Sequence, residues 1–574
     1  GIAAMHDCAT HWGGMRDAYR ALYPRRRQFT RQYAPHGEPR HWKRLDCVMV
    51  STGMLGATVP CVTSVKHLYP GERDLAVLRS LGSTSKWSDH AAVQCTVRYT
   101  DTAKPPSTWA FPAHLLKDPH VVNKELRKQV TTASGDTAVA KLLDLLTTAR
   151  QYAMSKVKED TRQHRGEMQD TLKKLRQCKK EIGDEFGAAG SLADLPESED
   201  KRRRVAATTA VRDDHRDRLR SLLEKEQKRW YADRGYETHT KDETCWRGFF
   251  EETRAGRVYS HIQHVQDPAD PIRRKFGSTP EILKQARHYF CGKGAILNTQ
   301  RERTSGVAKC RRELLQALRR DGKRLSQEQR DTLELSNLFT PHKVQKAIEE
   351  LQSHSTPGAD GWTAEYFKVV GQALREGGGN EGGEGGKSEK QPSPLAVLLA
   401  DVFTECVGNG AMLAQMQESI VSLIYKEKGE RHNLKYYRPI AVSSVIYRIL
   451  AKTLIISMRE VLPTVVSNCQ KAFQQNQFIT DCTRMIQDIM EYCDREDEEG
   501  FLLFCDQDAA YPRVEWDFMF SVLNEMNFHP DLVRTVKMMY DGIQLRFKVN
   551  SVVDNTVAKP TNGLAQGCPL SPVL

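Results

Sequence analysis

Residues 501–516 read F-L-L-F-C-D-Q-D-A-A-Y-P-R-V-E-W, and residues 562–572 read N-G-L-A-Q-G-C-P-L-S-P. The first stretch predicts an apolar strand, 501–505, that runs straight into Asp506. A carboxylate at the end of a buried strand needs a hydrogen bond, a cation or a metal to offset its desolvation. Tyr511 lies five residues further along the same stretch. In the second stretch Gly563 and Gly567 permit tight turns or a close approach of backbone to a ligand, and Pro569 and Pro572 stiffen the chain beyond the turn.

Upstream, S-L-I-Y-K-E-K-G (422–429) places Lys426 and Lys428 just after an expected strand over 420–425, and Y-R-P-I (437–440) supplies Arg438. Two cations, a strand-end Asp and a Gly-rich turn around Gln566 suit a triphosphate with a divalent metal. Singly, each has a plainer reading. Asp506 alone is an exposed turn acid, and Arg438 alone is half of a surface ion pair. Their order and spacing together carry the case.

The chain around these motifs has 574 residues, 39% hydrophobic and 28% charged, with Lys+Arg 85 against Asp+Glu 73. At roughly 150 residues per domain this predicts about three to four domains. The low apolar share predicts globular pieces joined by long polar helices. The net charge of +12 is compatible with a polyanionic partner. Fourteen cysteines contain no C-x-x-C pair, which argues against zinc ribbons and dithiol redox motifs and predicts reduced, intracellular thiols. No apolar run approaches the ~18 residues of a membrane span, and the first residues have no secretory-signal pattern. The missing initiator Met predicts a piece of a longer chain. Residues 41–100, with Val48, Val50, Val93 and Val97, read as β-rich, and 140–186 and 201–232 as charged helices parted by a Gly/Ala/Ser/Pro break. The latter serve as solvated spacers or nucleic-acid-contacting arms. From 327 onward the pattern is mixed α/β, with a helix over 395–409 and a Gly-rich surface insertion at 376–387.

Residues 340–574 resemble the N-terminal half of the reverse transcriptase of LINE-type non-LTR retrotransposons. The matching segments are T-P-G-A-D-G-W-T-A-E-Y-F-K (356–368), L-I-Y-K-E-K-G (423–429), Y-R-P-I (437–440), Q-K-A-F (470–473), D-Q-D-A-A-Y-P-R-V-E-W (506–516) and G-L-A-Q-G-C-P-L-S-P (563–572). The resemblance implies that Asp506 is the first metal-binding carboxylate of the palm, that Tyr511 is the aromatic gate against a 2′-hydroxyl, that Gln566 and Gly567 line the incoming-nucleotide pocket, and that Lys426 and Arg438 meet the triphosphate. It implies Mg2+ as cofactor in the intact protein. Asp508 receives no role. The family pattern is departed from at Ala509 and Pro512, and its second carboxylate motif does not occur before Leu574.

At the other end, K-R-L-D-C-V-M-V (43–50), W-S-D-H-A-A (87–92) and D-A-Y-R-A-L-Y-P (17–24) resemble the closing part of an apurinic/apyrimidinic-endonuclease-like domain, and W-A-F-P-A-H-L-L-K-D-P (109–119) resembles the segment after it. This implies His90 as the catalytic histidine, Asp46 as its orienting partner, Asp89 as a carboxylate at the metal, and Arg44 and Ser88 as supports. Taken alone, S-D-H is equally a satisfied structural histidine.

The expected architecture is therefore a multidomain α/β (α+β) chain. It comprises the C-terminal part of an endonuclease/exonuclease/phosphatase-like β-sandwich over 1–100, a mostly helical charged linker over 101–330, and reverse-transcriptase fingers with a partial palm over 331–574. The implied partners are an RNA template, target DNA and dNTPs, with no membrane, and the implied location is the nucleus and cytoplasm as a ribonucleoprotein. The expected role is a fragment of a polymerase that performs target-primed reverse transcription when intact, itself inactive. The alternative is a domesticated or relic nucleic-acid-binding protein.

Overall fold

A computed structural model of the chain describes residues 109–574 apart from 187–198, 234–261, 267–273, 299–304, 321–322, 377–390, 468 and 473–476. Of residues 1–108 it describes the backbone of short strands. These pair antiparallel as Met15–Asp17 with Met49–Ser51, Arg31–Tyr33 with His41–Lys43, and Val62–Leu68 with Ala92–Val97. They form separate two-stranded ladders, so a layered sandwich is not shown among the described residues. Asp46, Asp89 and His90, with Arg44 and Ser88, lie outside the described residues, as does the Gly-rich segment beyond Glu376.

The chain divides into two compact units, 1–106 with 161–226 and 107–160 with 227–574. The expected charged helices are present as α1 (Ala138–Phe186) and α2 (Glu199–Asp233). Their abundant Lys, Glu, Arg and Gln favour helix at exposed positions. In the first unit Thr171, Cys178 and Leu222 are buried, and His164 Nε2 lies 3.8 Å from Glu226.

The second unit is built from the first part of α1, from α3 (Thr279–Cys291), α4 (Pro341–Glu349), α5 (Ala364–Glu376), α6 (Pro394–Asn409), α7 (Val445–Met458), α8 (Ile479–Glu496), α9 (Trp516–Glu525) and α10 (Pro530–Tyr540), and from one four-stranded sheet. Leu142, Leu145, Leu146, Ala149 and Ala153 form a stripe at helical spacing on α1. They are buried in one core with the faces of α4 to α7 and α10. Trp109 and Phe111 enter the same core against Trp362 and Tyr366, with ring centroids 4.7 to 6.2 Å apart.

The sheet consists of β1 (Glu418–Tyr425), β2 (Tyr437–Ser443), β3 (Gln544–Val549) and β4 (Val552–Val553), in the order β2-β1-β3-β4. β1 is antiparallel to β2 and parallel to β3. Alternation along the strands sends Val421, Leu423, Tyr437, Ala441, Leu545 and Phe547 to a second core, which Ile282, Leu283, Ala286 and Phe290 of α3 complete. The expected linker of 101–330 thus supplies both cores. Packing does not change near residue 330, because an amphipathic helix such as α3 must bury its apolar face and the sheet offers a matching one.

One expectation is corrected. F-L-L-F-C is not a strand. Residues 501–507 have no regular secondary structure, and Phe501, Leu503 and Phe504 are 92%, 79% and 78% exposed. A strand exists only where a neighbour completes its ladder, and no described residues pair with 501–505.

Within T-P-G-A-D-G-W, Asp360 has one oxygen, Oδ2, that neither solvent nor a hydrogen-bond donor reaches. Burial pushes its carboxyl up to about 6, against the pull of backbone N–H groups and the charge of Arg448. A carboxyl whose folded pKa lies above its ordinary value contributes stability in acid and loses it as pH rises through about 6. The shift from 3.8 to about 6 corresponds to roughly 3 kcal/mol. Asp360→Asn is therefore expected to raise the melting temperature at pH 7.5, with the gain shrinking towards pH 4. An equal gain at both pH values would show that charge burial is not the cause.

Candidate active site

Three segments meet beside the sheet. Tyr511–Arg513 forms a single 3-10 turn. Pro512 stands in its first residues, where a missing N–H costs no helical bond. Ala509 just before it has φ +53°, left-handed backbone that a side chain adopts only under strain. The second segment is the Gly563–Gly567 turn. Gly563 N–H donates to the Val514 carbonyl (2.7 Å), Leu564 N–H to that of Tyr511 (2.8 Å), and Trp516 Nε1–H to that of Gly563 (2.8 Å). The third is β2, where Ala441 N–H donates to the Gln566 carbonyl at 2.7 Å.

Two glycines are required by this arrangement. Gly563 has φ +90°, and a Cβ there would lie 2.8 Å from the Pro512 carbonyl oxygen. Gly567 has φ +116°, and a Cβ there would lie 2.5 Å from the Ala441 carbonyl oxygen. Behind the turn lies a small cleft walled by Val421, Pro439 and Leu545 from the sheet and by Pro512, Trp516 and Gln566.

The cations are placed by the β1–β2 hairpin. Register sets Arg438 opposite Ile424, and both are exposed on the sheet face that α3 does not cover. Lys426 N–H donates to the Tyr436 carbonyl and its Nζ to the Lys435 carbonyl at 2.9 Å. Asp508 joins this group. Arg513 donates to its carboxylate and to its carbonyl, each at 2.9 Å, and that pairing, then the charges of Lys435 and Lys426, holds the Asp508 carboxyl below the usual range.

Tyr511, Gln566 and Gly567 are thus drawn together with the strand that carries Arg438, and Lys426 with Asp508. Asp506 is exposed, with no hydrogen bond or ion pair among the described residues. The residues before it, 501–505, form no strand. No three His, Cys, Asp or Glu side chains among the described residues gather to hold a cation. With Asp508 engaged by Arg513, the described residues alone do not complete a divalent-metal centre. Sequence reasoning left Asp508 without a role and passed over Asn562, which is buried at the junction. The only signal for Asn562 was an amide ahead of a glycine turn.

Residues 424–574 match the reverse transcriptase (RNA-dependent DNA polymerase) family. Over 247 residues, 43% of the chain, the sequence is 26% identical to the "Transposon TX1 uncharacterized 149 kDa protein" of Xenopus laevis, and the match covers 17% of that protein. The chain spans about a sixth of the length of the curated relative it matches. Among the described residues no helix is long and apolar enough to cross a membrane.

Proposed function

We propose that this chain, which carries a reverse transcriptase domain over 424–574, is a retrotransposon polymerase segment that binds a primed RNA template and the incoming dNTP. The observation that carries this reading is the locked junction of the Tyr511 turn, the Gln566 turn and β2, linked by Leu564–Tyr511 and Ala441–Gln566 hydrogen bonds. Rigid backbone of this kind positions a nucleotide sugar without side-chain rearrangement. In the proposal Tyr511 contacts the sugar, Gln566 and Gly567 border the base pocket, and Lys426 and Arg438 neutralise the triphosphate. Asp506 is the proposed first carboxylate for magnesium, though the described residues alone do not complete a metal centre.

The endonuclease reading is also a proposal. It assigns His90 as the catalytic histidine, Asp46 as its orienting partner and Asp89 as a metal carboxylate, on the strength of R-L-D and S-D-H. So are target-primed synthesis on target DNA and a ribonucleoprotein residing in nucleus and cytoplasm. The isolated Asp506 favours a second reading, a non-catalytic nucleic-acid-binding protein.

The test is binding of a primed RNA template with magnesium, with and without the complementary dNTP. The complementary dNTP is expected to prolong the complex, and Lys426→Ala with Arg438→Ala to weaken that effect at least tenfold. A complex indifferent to which dNTP is present would support the non-catalytic reading. Primer extension is expected to be absent. Extension that disappears in Asp506→Ala would show that Asp506 finds its metal partners within this chain.

A further inference from the structure

Asn562 is a buried polar side chain at the meeting point of the two turns. It is 4% exposed, and its Nδ2 donates to two carbonyls, those of Ile296 and Pro512, each at 2.8 Å. Two acceptors aimed at one point require a nitrogen with two N–H bonds and no charge, which an amide supplies. A hydroxyl has one hydrogen, and a carboxylate would present oxygen to oxygen.

The two carbonyls belong to different segments. Pro512 adjoins Tyr511 within the 3-10 turn, and its ring fixes φ there. Ile296 lies in the turn after α3, ahead of the residues matched to the polymerase family. That turn is built for the contact. Leu297 N–H donates to the Phe290 carbonyl, Leu297 carbonyl accepts from Thr561 N–H, and Thr561 Oγ1 lies 3.1 Å from Asn298 Oδ1. A Cβ on Gly563 would come within 2.8 Å of Leu297 Cδ2, so the turn also buttresses the glycine. Farther back, Asn550 bonds both the N–H and the carbonyl of Ile262 (2.8 and 2.9 Å), and Arg287 pairs with Asp554. α3 and the turn after it, through Asn298, are thereby fastened to the sheet at one end and to the Gly563 turn at the other.

We infer that Asn562 is a positioning residue, through which the turn after α3, Ile296 to Asn298, holds the Gly563–Gly567 turn against the Tyr511 turn in the geometry that accepts the nucleotide. In this inference Asn562 acts through Tyr511 and Gln566. The inference rests on the proposed nucleotide site. It adds that this site is shaped by residues upstream of the family match.

The test uses the full chain on a primed oligouridine RNA template with magnesium, reading how dATP prolongs the complex, together with backbone hydrogen exchange. Asn562→Asp is isosteric, removes both donors and sets a carboxylate against two carbonyls. The dATP concentration for half-maximal effect is expected to rise at least tenfold, template affinity without dATP to change less than twofold, and exchange to accelerate at Gly563 and Leu564 but not along β1 and β3. Asn562→Ser removes the bridge without burying a charge and is used if the Asp variant loses its sheet protection. It is expected to shift the dATP dependence in the same direction. Unchanged dATP dependence in a folded variant overturns the positioning role and leaves the polymerase reading intact. Loss of sheet protection in both variants also overturns it, since Asn562 would then serve stability alone. A wild-type chain insensitive to dATP overturns the polymerase reading and this inference together.

Discussion

Trp362→Ala is expected to destabilise the 107–160/227–574 unit by about 3–5 kcal/mol, the usual cost of truncating a buried large aromatic. Trp362 is 3% exposed. It stacks on Phe111 at 5.6 Å, meets Trp109 edge-on at 5.2 Å and touches Tyr366 at 4.7 Å. Each aromatic pair adds roughly 0.5–1.5 kcal/mol beyond area burial. The neighbourhood cannot collapse to fill the void. Gly361, at φ +79°, already sits so close to the Trp109 carbonyl that a Cβ would overlap it, and Gly361 carbonyl accepts from Phe111 N–H at 2.9 Å. Against a typical stability of about 5–15 kcal/mol, this is a large fraction. Urea unfolding followed by tryptophan fluorescence measures it. Arg150 lies over Trp109 at 4.6 Å, so release of α1 is expected to accompany the loss and to expose 109–130 to protease. A change below ~1 kcal/mol would mean that residues 107–160 are not integral to the unit.

That prediction concerns a part of the fold that the sequence concealed. The helices of 140–186 and 201–232 were legible from their Lys, Glu, Arg and Gln content, and that of 395–409 because apolar spacing and caps agreed. Ser393 Oγ accepts from Ala396 N–H at the start of α6, and Gly410 closes it at φ +67°, both readable as punctuation. The β1 strand was legible from its apolar run. The attachment of 109–153 and of α3 with the turn after it was not, because it depends on which apolar faces meet across hundreds of residues, and periodicity does not name a partner. The same limit explains the misread strand at 501–505. Four apolar residues in a row specify burial, but pairing depends on a neighbour.

The candidate site divides in the same way. Gly563, Gly567, Gln566 and Tyr511 were legible because local backbone demands reveal themselves as glycine, proline and aromatic spacing. Asp508 was not, because its ion pair with Arg513 and its nearness to Lys426 arise from the fold of the turn. Pro512 reads in isolation as an obstacle. In place it begins a turn and presents the carbonyl that Asn562 binds.

Gly567→Ala is the sharpest probe of the junction. At φ +116° an alanine is strained by about 1–3 kcal/mol, and its Cβ would lie 2.5 Å from the Ala441 carbonyl oxygen. That oxygen belongs to backbone and cannot rotate away. β2 is held to β1 along its whole length, Tyr437 to Ser443, so the turn must move instead. Movement breaks the 2.7 Å bond from Ala441 N–H to the Gln566 carbonyl, and overpacking of this kind costs a further ~1–3 kcal/mol. The expected result is a total loss of about 2–6 kcal/mol by urea unfolding, with dATP-dependent stabilisation of the primed template lowered at least tenfold. Gly408→Ala supplies the contrast. Nothing lies within 4 Å of a Cβ there, φ is not positive, and the residue is helical, so a gain of about 0.5–1 kcal/mol is expected. If Gly567→Ala kept both its stability and its response to dATP, the contact between the glycine turn and β2 would not govern nucleotide binding.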